Sequence, residues 1–281
     1  MLSIGIFTRT FPRDTLGQRL DAVRSHGLSQ VQFGLTDIGL PELPDELAPE
    51  TIAAIKQAFA ERPVELVALS GTYNMIHPDP DERAAGLRRL RVLAEACEPL
   101  GVGIVTLCTG TRDPDYMWRE HTANSDPDAW RDLLQAMEVA VAMAEEHGIV
   151  LGVEPEPANV VDRPAKARKL MDTIGSDHLK IVMDGANLFH AGDLERMDEV
   201  LDEAFDLLGP DIVLAHAKDL VKDGQAGNIA AGTGRLDYDR YLSLLHAAGY
   251  DGPLMLHSLD EEQVPTSVAF LRHRLSQLGT A

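Results

Sequence analysis

The segment IVLGVEPEP, residues 149–157, runs from a short apolar stretch into two glutamates, Glu154 and Glu156, each followed by a proline. The apolar stretch is too short for a helix. It is apolar on both faces, as a parallel strand is when layers cover it on both sides. The prolines end the strand and restrict the backbone around both carboxylates. Working outward, the same unit recurs. Runs rich in Val, Ile and Leu occur at 3–7, 30–34, 64–70, 103–108, 179–184, 211–216 and 253–257. Amphipathic segments separate them, at 16–26, 49–61, 81–100, 128–147, 163–174, 194–208, 237–248 and 262–278. Asp14 and Thr15 stand where a helix N-cap is needed. Gly27, Gly101, Gly148, Gly175, Gly209 and Gly249 each fall just past a helical pattern, which predicts glycine C-caps.

Eight strands, each followed by a helix, predict an α/β protein of the (β/α)8 TIM barrel class, in a single domain spanning 1–281. The rival architecture is an open doubly wound sheet, which would carry a glycine-rich phosphate turn after an early strand. No GxGxxG or P-loop pattern occurs, and Gly232-Thr233-Gly234 falls after strand seven.

Composition narrows the function. The chain has 281 residues, with 45 acids against 25 bases and a net charge of −20. This excludes a nucleic-acid partner, because phosphate binding relies on clustered Lys and Arg. Arg88, Arg89 and Arg91 lie on a helical pattern with Glu95 and read as a solvated face. Cys97 and Cys108 lack metal-site spacing and read as buried thiols in a reducing compartment. No basic leader and no membrane-length apolar run is evident, so a soluble, cytoplasmic protein is expected.

In a barrel the chemistry sits at the C-terminal mouth. There strand five ends in Glu154, strand six in Asp184, strand seven in His216 and strand eight in His257. Buried carboxylates and imidazoles on four successive strands would be poorly solvated unless a cation unites them. One divalent metal ion (Mn, Mg, Co, Fe, Ni or Zn) is therefore expected, held by Glu154, Asp184, His216 and His257. Any one of these residues taken alone is an ordinary strand-end polar group. Their occurrence on four consecutive strands carries the expectation.

With those residues aligned, the chain resembles the xylose isomerase-like TIM barrels, which include sugar and sugar-phosphate isomerases and epimerases, inosose dehydratases and endonuclease IV. The resemblance spans almost the whole chain. It rests on VEPE at 153–156, MDGANLF at 183–189, HAKD at 216–219, GTGRLDY at 232–238 and GYDGPLMLH at 249–257. The family pattern binds a divalent metal with Glu, Asp, His and Glu from strands five to eight. Glu154, Asp184 and His216 match it; His257 replaces the fourth ligand, with Glu261 and Glu262 a few residues on. Asn187 stands where many epimerases have a substrate-binding His, a departure for which His190, three residues on, could substitute. The extra His and Asp ligands of endonuclease IV have no counterpart at Cys108 and Thr109 on strand four.

The resemblance implies proton abstraction beside a carbonyl in a small sugar or polyol. Glu154 is the expected base and metal ligand, His257 the expected ligand or opposing acid/base, and Lys218 a candidate to stabilise an oxyanion. An exposed loop position is the plainer expectation for Lys218. Glu156 orients Glu154 or binds hydroxyls. Arg9, Asn74, His77, Arg112 and Trp118 are the remaining expected substrate contacts, with a lid or interface role equally open for Trp118. Two other readings stand: an inosose dehydratase-like lyase and a non-catalytic carbohydrate-binding barrel. The partner expected is a small molecule, with no membrane and no nucleic acid; homo-oligomerisation is left open.

Overall fold

Each apolar run becomes a strand in the computed structural model, which describes residues 2–278. The barrel strands are β1 (Ser3–Phe7), β2 (Gln30–Phe33), β3 (Glu65–Ser70) and β4 (Ile104–Cys108). They continue as β5 (Val150–Glu154), β6 (Leu179–Asp184), β7 (Ile212–Asp219) and β8 (Pro253–Leu256). All pair in parallel with their sequence neighbours, and β8 pairs with β1 to close the ring. A two-residue strand, Ile229–Ala230, lies antiparallel to the end of β7 outside the ring.

The helices are α1 (Leu16–Ser25), α2 (Pro49–Ala60), α3 (Pro80–Leu100), α4 (Pro127–His147), α5 (Pro164–Ile174), α6 (Met197–Leu208), α7 (Tyr238–Ala247) and α8 (Val264–Leu278). Thr15 and Gln18 form a reciprocal capping box on α1. Proline opens α2, α3, α4 and α5, where its missing N–H is not needed. Gly101, Gly148 and Gly175 cap their helices in the left-handed region, as expected. Gly209 does not: its φ is −49°, and the chain turns through a 3-10 helix, Gly209–Asp211, with Pro210 inside it. Proline's fixed φ keeps that turn right-handed.

The apolar faces divide as the barrel requires. Most buried side chains pack between the strand ring and the helices. A second cluster, Phe7, Ala68, Val182, Leu214 and Met255, fills the interior. The interior is tight beneath the mouth: a Cβ on Gly152 would come within 2.8 Å of Val182. Cys97 and Cys108 are buried free thiols, as expected. Among the described residues no helix is long and apolar enough to cross a membrane.

Candidate active site

Closing the ring brings the ends of β5, β6, β7 and β8 together above this packed floor. Asp184 is the hub. Its Oδ1 accepts from the Ala186 N–H at 3.0 Å. Its Oδ2 faces His257 Nε2 at 3.1 Å, Lys218 Nζ at 3.2 Å and His216 Nδ1 at 3.6 Å. Glu154 Oε2 lies 3.4 Å from the same His216 nitrogen. The four expected ligands thus form a continuous set, and ligand atoms of Asp184, His216 and His257 lie within 4.8 Å of one another. All four residues are buried.

His216 decides what this set can hold. Its Nε2–H donates to Gln32 Oε1 at 3.0 Å. The Gln32 amide is fixed in turn, donating to Ser70 Oγ and Thr106 Oγ1, both at 3.0 Å. In the neutral imidazole the proton on Nε2 leaves the Nδ1 lone pair directed at two carboxylate oxygens. That atom is buried and has no hydrogen-bond partner. A buried acceptor facing acceptors is costly, and a cation between them relieves it. The donor set of imidazole nitrogen and carboxylate oxygen suits a divalent ion.

Electrostatics agree with a site built for positive charge. Burial opposes ionisation of Asp184, but Lys218, His216 and His257 outweigh it and hold its carboxyl well below the usual range. Burial also opposes protonation of His216, but Glu154 and Asp184 raise it to about 9, so without a metal a proton on Nδ1 stands where a cation would bind. Burial, followed by Lys218, holds His257 well below an ordinary histidine. Burial is the main cause that raises Glu156 to about 8. Cys108, grouped with Glu154 and Glu156, is pushed well above an ordinary thiol, first by burial and then by those carboxylates.

Asn187 joins the two glutamates of β5. Its Nδ2 donates to Glu154 Oε1 at 2.7 Å and Glu156 Oε1 at 2.8 Å, and its Oδ1 accepts from the Gly227 N–H. The residue expected to touch substrate therefore holds the carboxylates in register. Lys218 is not a loop lysine. It lies within β7, is 4% exposed and turns inward to Asp184, because β7 runs two residues past the histidine before Asp219 ends it.

A cavity of about 320 Å³ opens over this cluster. Glu154, Glu156, His216 and His257 form its base, while Arg9 and Trp118 contribute to its wall. Phe7 packs edge-on to His216 and tilted to His257, with the Arg9 guanidinium 4.2 Å above its ring. Four other expected substrate contacts lie elsewhere. Asn74 donates to the Thr111 and Asp113 carbonyls and accepts from the Thr111 N–H. His77 bonds the Pro114 carbonyl, and Arg112 bonds the Ile76 carbonyl and Asp132. His190 Nε2 bonds the Asp162 carbonyl. All four fasten mouth loops to one another and are absent from the cavity lining. Glu261 is equally remote, paired with Arg13 at 2.7 Å.

Two residues of the site went unread in the sequence. Gln32 has a signal: it is a polar residue at the inner end of the apolar run QVQF, where the register with β3 shifts. Asp219 has a weaker one. Its carboxylate accepts from the backbone N–H groups of Leu220, Gly232, Gly234 and Leu236 and shapes the loop after β7.

A closed parallel barrel with acid and imidazole groups converging at its C-terminal mouth defines a class of barrel equipped for small-molecule chemistry. Residues 20–274 match the family described as xylose isomerase-like TIM barrel, and the chain belongs to that family. Solved structures share the fold at low identity. A D-tagatose 3-epimerase-like protein is 16% identical, with 99% of each chain covered and a TM-score of 0.75. The IolI protein with a bound zinc atom is 18% identical, with 99% of this chain and 98% of that one covered and a TM-score of 0.73. The probable 3-DHS dehydratase AsbF from Bacillus anthracis is 12% identical, with 96% of this chain and 99% of that one covered and a TM-score of 0.73. Comparison with curated proteins finds no match.

Proposed function

We propose that this protein is a divalent-metal-dependent isomerase or epimerase acting on a sugar or sugar phosphate by proton abstraction beside a carbonyl. The observation that carries the reading is the buried, unpartnered His216 Nδ1 set between Glu154 Oε2 and Asp184 Oδ2. Glu154, Asp184 and His216 would hold the ion, with His257 as the fourth ligand. When bound, such an ion polarises the substrate carbonyl and stabilises the negative charge that develops on its oxygen.

The chain's own residues supply the rest. Glu154 takes the proton from the carbon next to the carbonyl, and Asn187 holds its Oε1 so that the carboxylate keeps one orientation. Glu156, raised to about 8, carries a proton at neutral pH and is suited to return one. His257 is held neutral, donates toward Asp184 and serves as ligand or hydrogen-bond partner, a smaller role than an opposing acid. Lys218 keeps Asp184 ionised. Trp118 offers an aromatic face to the sugar ring.

The fold shared with a probable dehydratase keeps a lyase reading in view, since removal of the same proton would begin a dehydration. Incubating the metal-loaded protein with a panel of ketoses in deuterated water separates the readings. Isomerase or epimerase chemistry places deuterium on the carbon beside the carbonyl, and Glu154→Gln abolishes it. An ultraviolet-absorbing conjugated ketone would instead indicate water loss. Ligand binding with neither outcome would reduce the protein to a carbohydrate-binding barrel.

A further inference from the structure

We propose that Arg9 and Glu42 form a specificity subsite on the far side of the cavity, where they bind two neighbouring hydroxyls at the substrate end remote from the carbonyl. This rests on the sugar reading above and deepens it.

Both side chains line the cavity over the strand-end cluster. Arg9 follows β1 directly, in the short 3-10 helix Thr8–Thr10, and Glu42 lies in the loop between β2 and α2. β1 and β2 stand across the ring from β5 and β6, which carry Glu154 and Asp184. A substrate whose carbonyl end meets the strand-end cluster therefore extends toward Arg9 and Glu42. Phe7 sets the spacing. Its ring centroid lies 4.9 Å from that of His257 and 5.3 Å from that of His216, and the Arg9 guanidinium rests on it at 4.2 Å.

The two groups have hydrogen-bonding capacity to spare. Among the described residues Arg9 makes no hydrogen bond and no ion pair. Glu42 accepts one hydrogen bond, from the Thr36 hydroxyl to Oε2 at 3.3 Å, and its Oε1 accepts none. Burial opposes ionisation of Glu42 and Arg9 is near enough to favour it, yet the two are not paired. Guanidinium donors and a carboxylate acceptor thus face one cavity without satisfying each other. A lone anionic group would suit Arg9 and oppose Glu42, and a lone cation would do the reverse. Two neighbouring hydroxyls, each both donor and acceptor, satisfy the pair together.

The local sequence holds Glu42 in place. It stands in LPELP, 40–44, where Leu43 and Pro44 are buried and the Leu40 N–H donates to the Leu35 carbonyl at 3.2 Å. Its carboxylate lies against Gly34, where a Cβ would come within 3.4 Å of Oε2. An acceptor fixed before binding loses little side-chain freedom when a hydroxyl arrives.

The test uses the full-length, metal-loaded protein with D-fructose, D-tagatose, D-sorbose and D-psicose, the 6-deoxy form of whichever binds best, and dihydroxyacetone, which has no remote diol. Calorimetry gives affinity, and solvent hydrogen exchange followed by NMR gives kcat/KM. The best ketohexose binds about tenfold or more tightly than its 6-deoxy form, and Arg9→Gln and Glu42→Gln each shrink that ratio to about threefold or less. Each variant also lowers the kcat/KM ratio of ketohexose to dihydroxyacetone about tenfold. A 6-deoxy ratio that both variants leave intact overturns the subsite. So does a loss on dihydroxyacetone as large as the loss on the ketohexose, since the pair would then serve the reaction in general. The two readings fail separately. A 6-deoxy ratio that the variants shrink, with no exchange in the wild type, removes the proposed reaction and keeps the subsite. Exchange that Glu154→Gln abolishes but neither variant alters does the reverse. A panel that neither binds nor exchanges overturns both.

Discussion

Asp184 and Asp219 are the same residue type at the mouth ends of adjacent strands, each 1% exposed. They differ in what donates to them. Asp219 is saturated by four backbone N–H groups, which cannot leave without unfolding the loop after β7. Asp184 receives one backbone N–H; its other oxygen faces only side chains, Lys218, His257 and His216. Side chains can rotate away or share an oxygen with an arriving cation, so one aspartate is a rivet and the other is available for chemistry. A buried carboxylate is thus sorted into structure or function by the identity of its donors.

That contrast is open to breakage. The largest effect expected is from Asp219→Ala. At about 1–3 kcal/mol for each buried N–H left unsatisfied, it lowers stability by more than about 4 kcal/mol in denaturant melts. No second substitution should restore it, because the donors are backbone. Asp184→Asn leaves the Lys218 ammonium without its nearest counter-charge and costs roughly 3–5 kcal/mol. Here the double variant Asp184→Asn, Lys218→Met should recover most of the stability while leaving metal affinity low. A double variant as unstable as the single one would erase the distinction.

Gln32→Leu comes next. It removes the acceptor that keeps the His216 proton on Nε2, and metal affinity should fall about 10- to 100-fold with little change in melting temperature. Gln32→Glu retains an acceptor and should rescue most of the loss. Equal affinity in both variants would mean that Gln32 does not set the tautomer.

The smallest effect extends the comparison to Asp211, at the opposite end of β7. It bonds Lys180 and Arg168, each at 2.8 Å. Burial opposes its ionisation, but those two cations outweigh it and hold its carboxyl below the usual range. Since the folded-state value is depressed, its contribution is present above about pH 4 and is lost as pH falls through the folded value. Partial exposure limits it to about 1 kcal/mol. Asp211→Asn should flatten the acid limb of the stability profile by that amount and leave neutral-pH metal binding unchanged.

The sequence carried the barrel because strand and helix signals are local. Short two-faced apolar runs and glycine stops do not depend on distant partners, and Gly209 failed only where Pro210 redirected the turn. The cluster of Glu154, Asp184, His216 and His257 was legible for a related reason: once the strands are counted, their ends must converge. Partner choice was not legible. Asn74, His77 and Arg112 were expected at the substrate because they lie on mouth loops. Their bonds run to carbonyls and an acid across separations of 20 to 39 residues, which nothing local announces. The burial of Lys218 followed from the extra length of β7, and the apolar pattern VLAHA fades before that lysine is reached.

Metal content of the purified chain after saturation and exhaustive dialysis, measured by elemental analysis, tests the proposed centre most directly. The prediction is about one divalent ion per chain in the wild type. His216→Ala and the folded double variant Asp184→Asn, Lys218→Met should retain almost none. A folded wild type that retains no metal, or variants that retain as much as it does, would contradict a metal centre built from these strand ends.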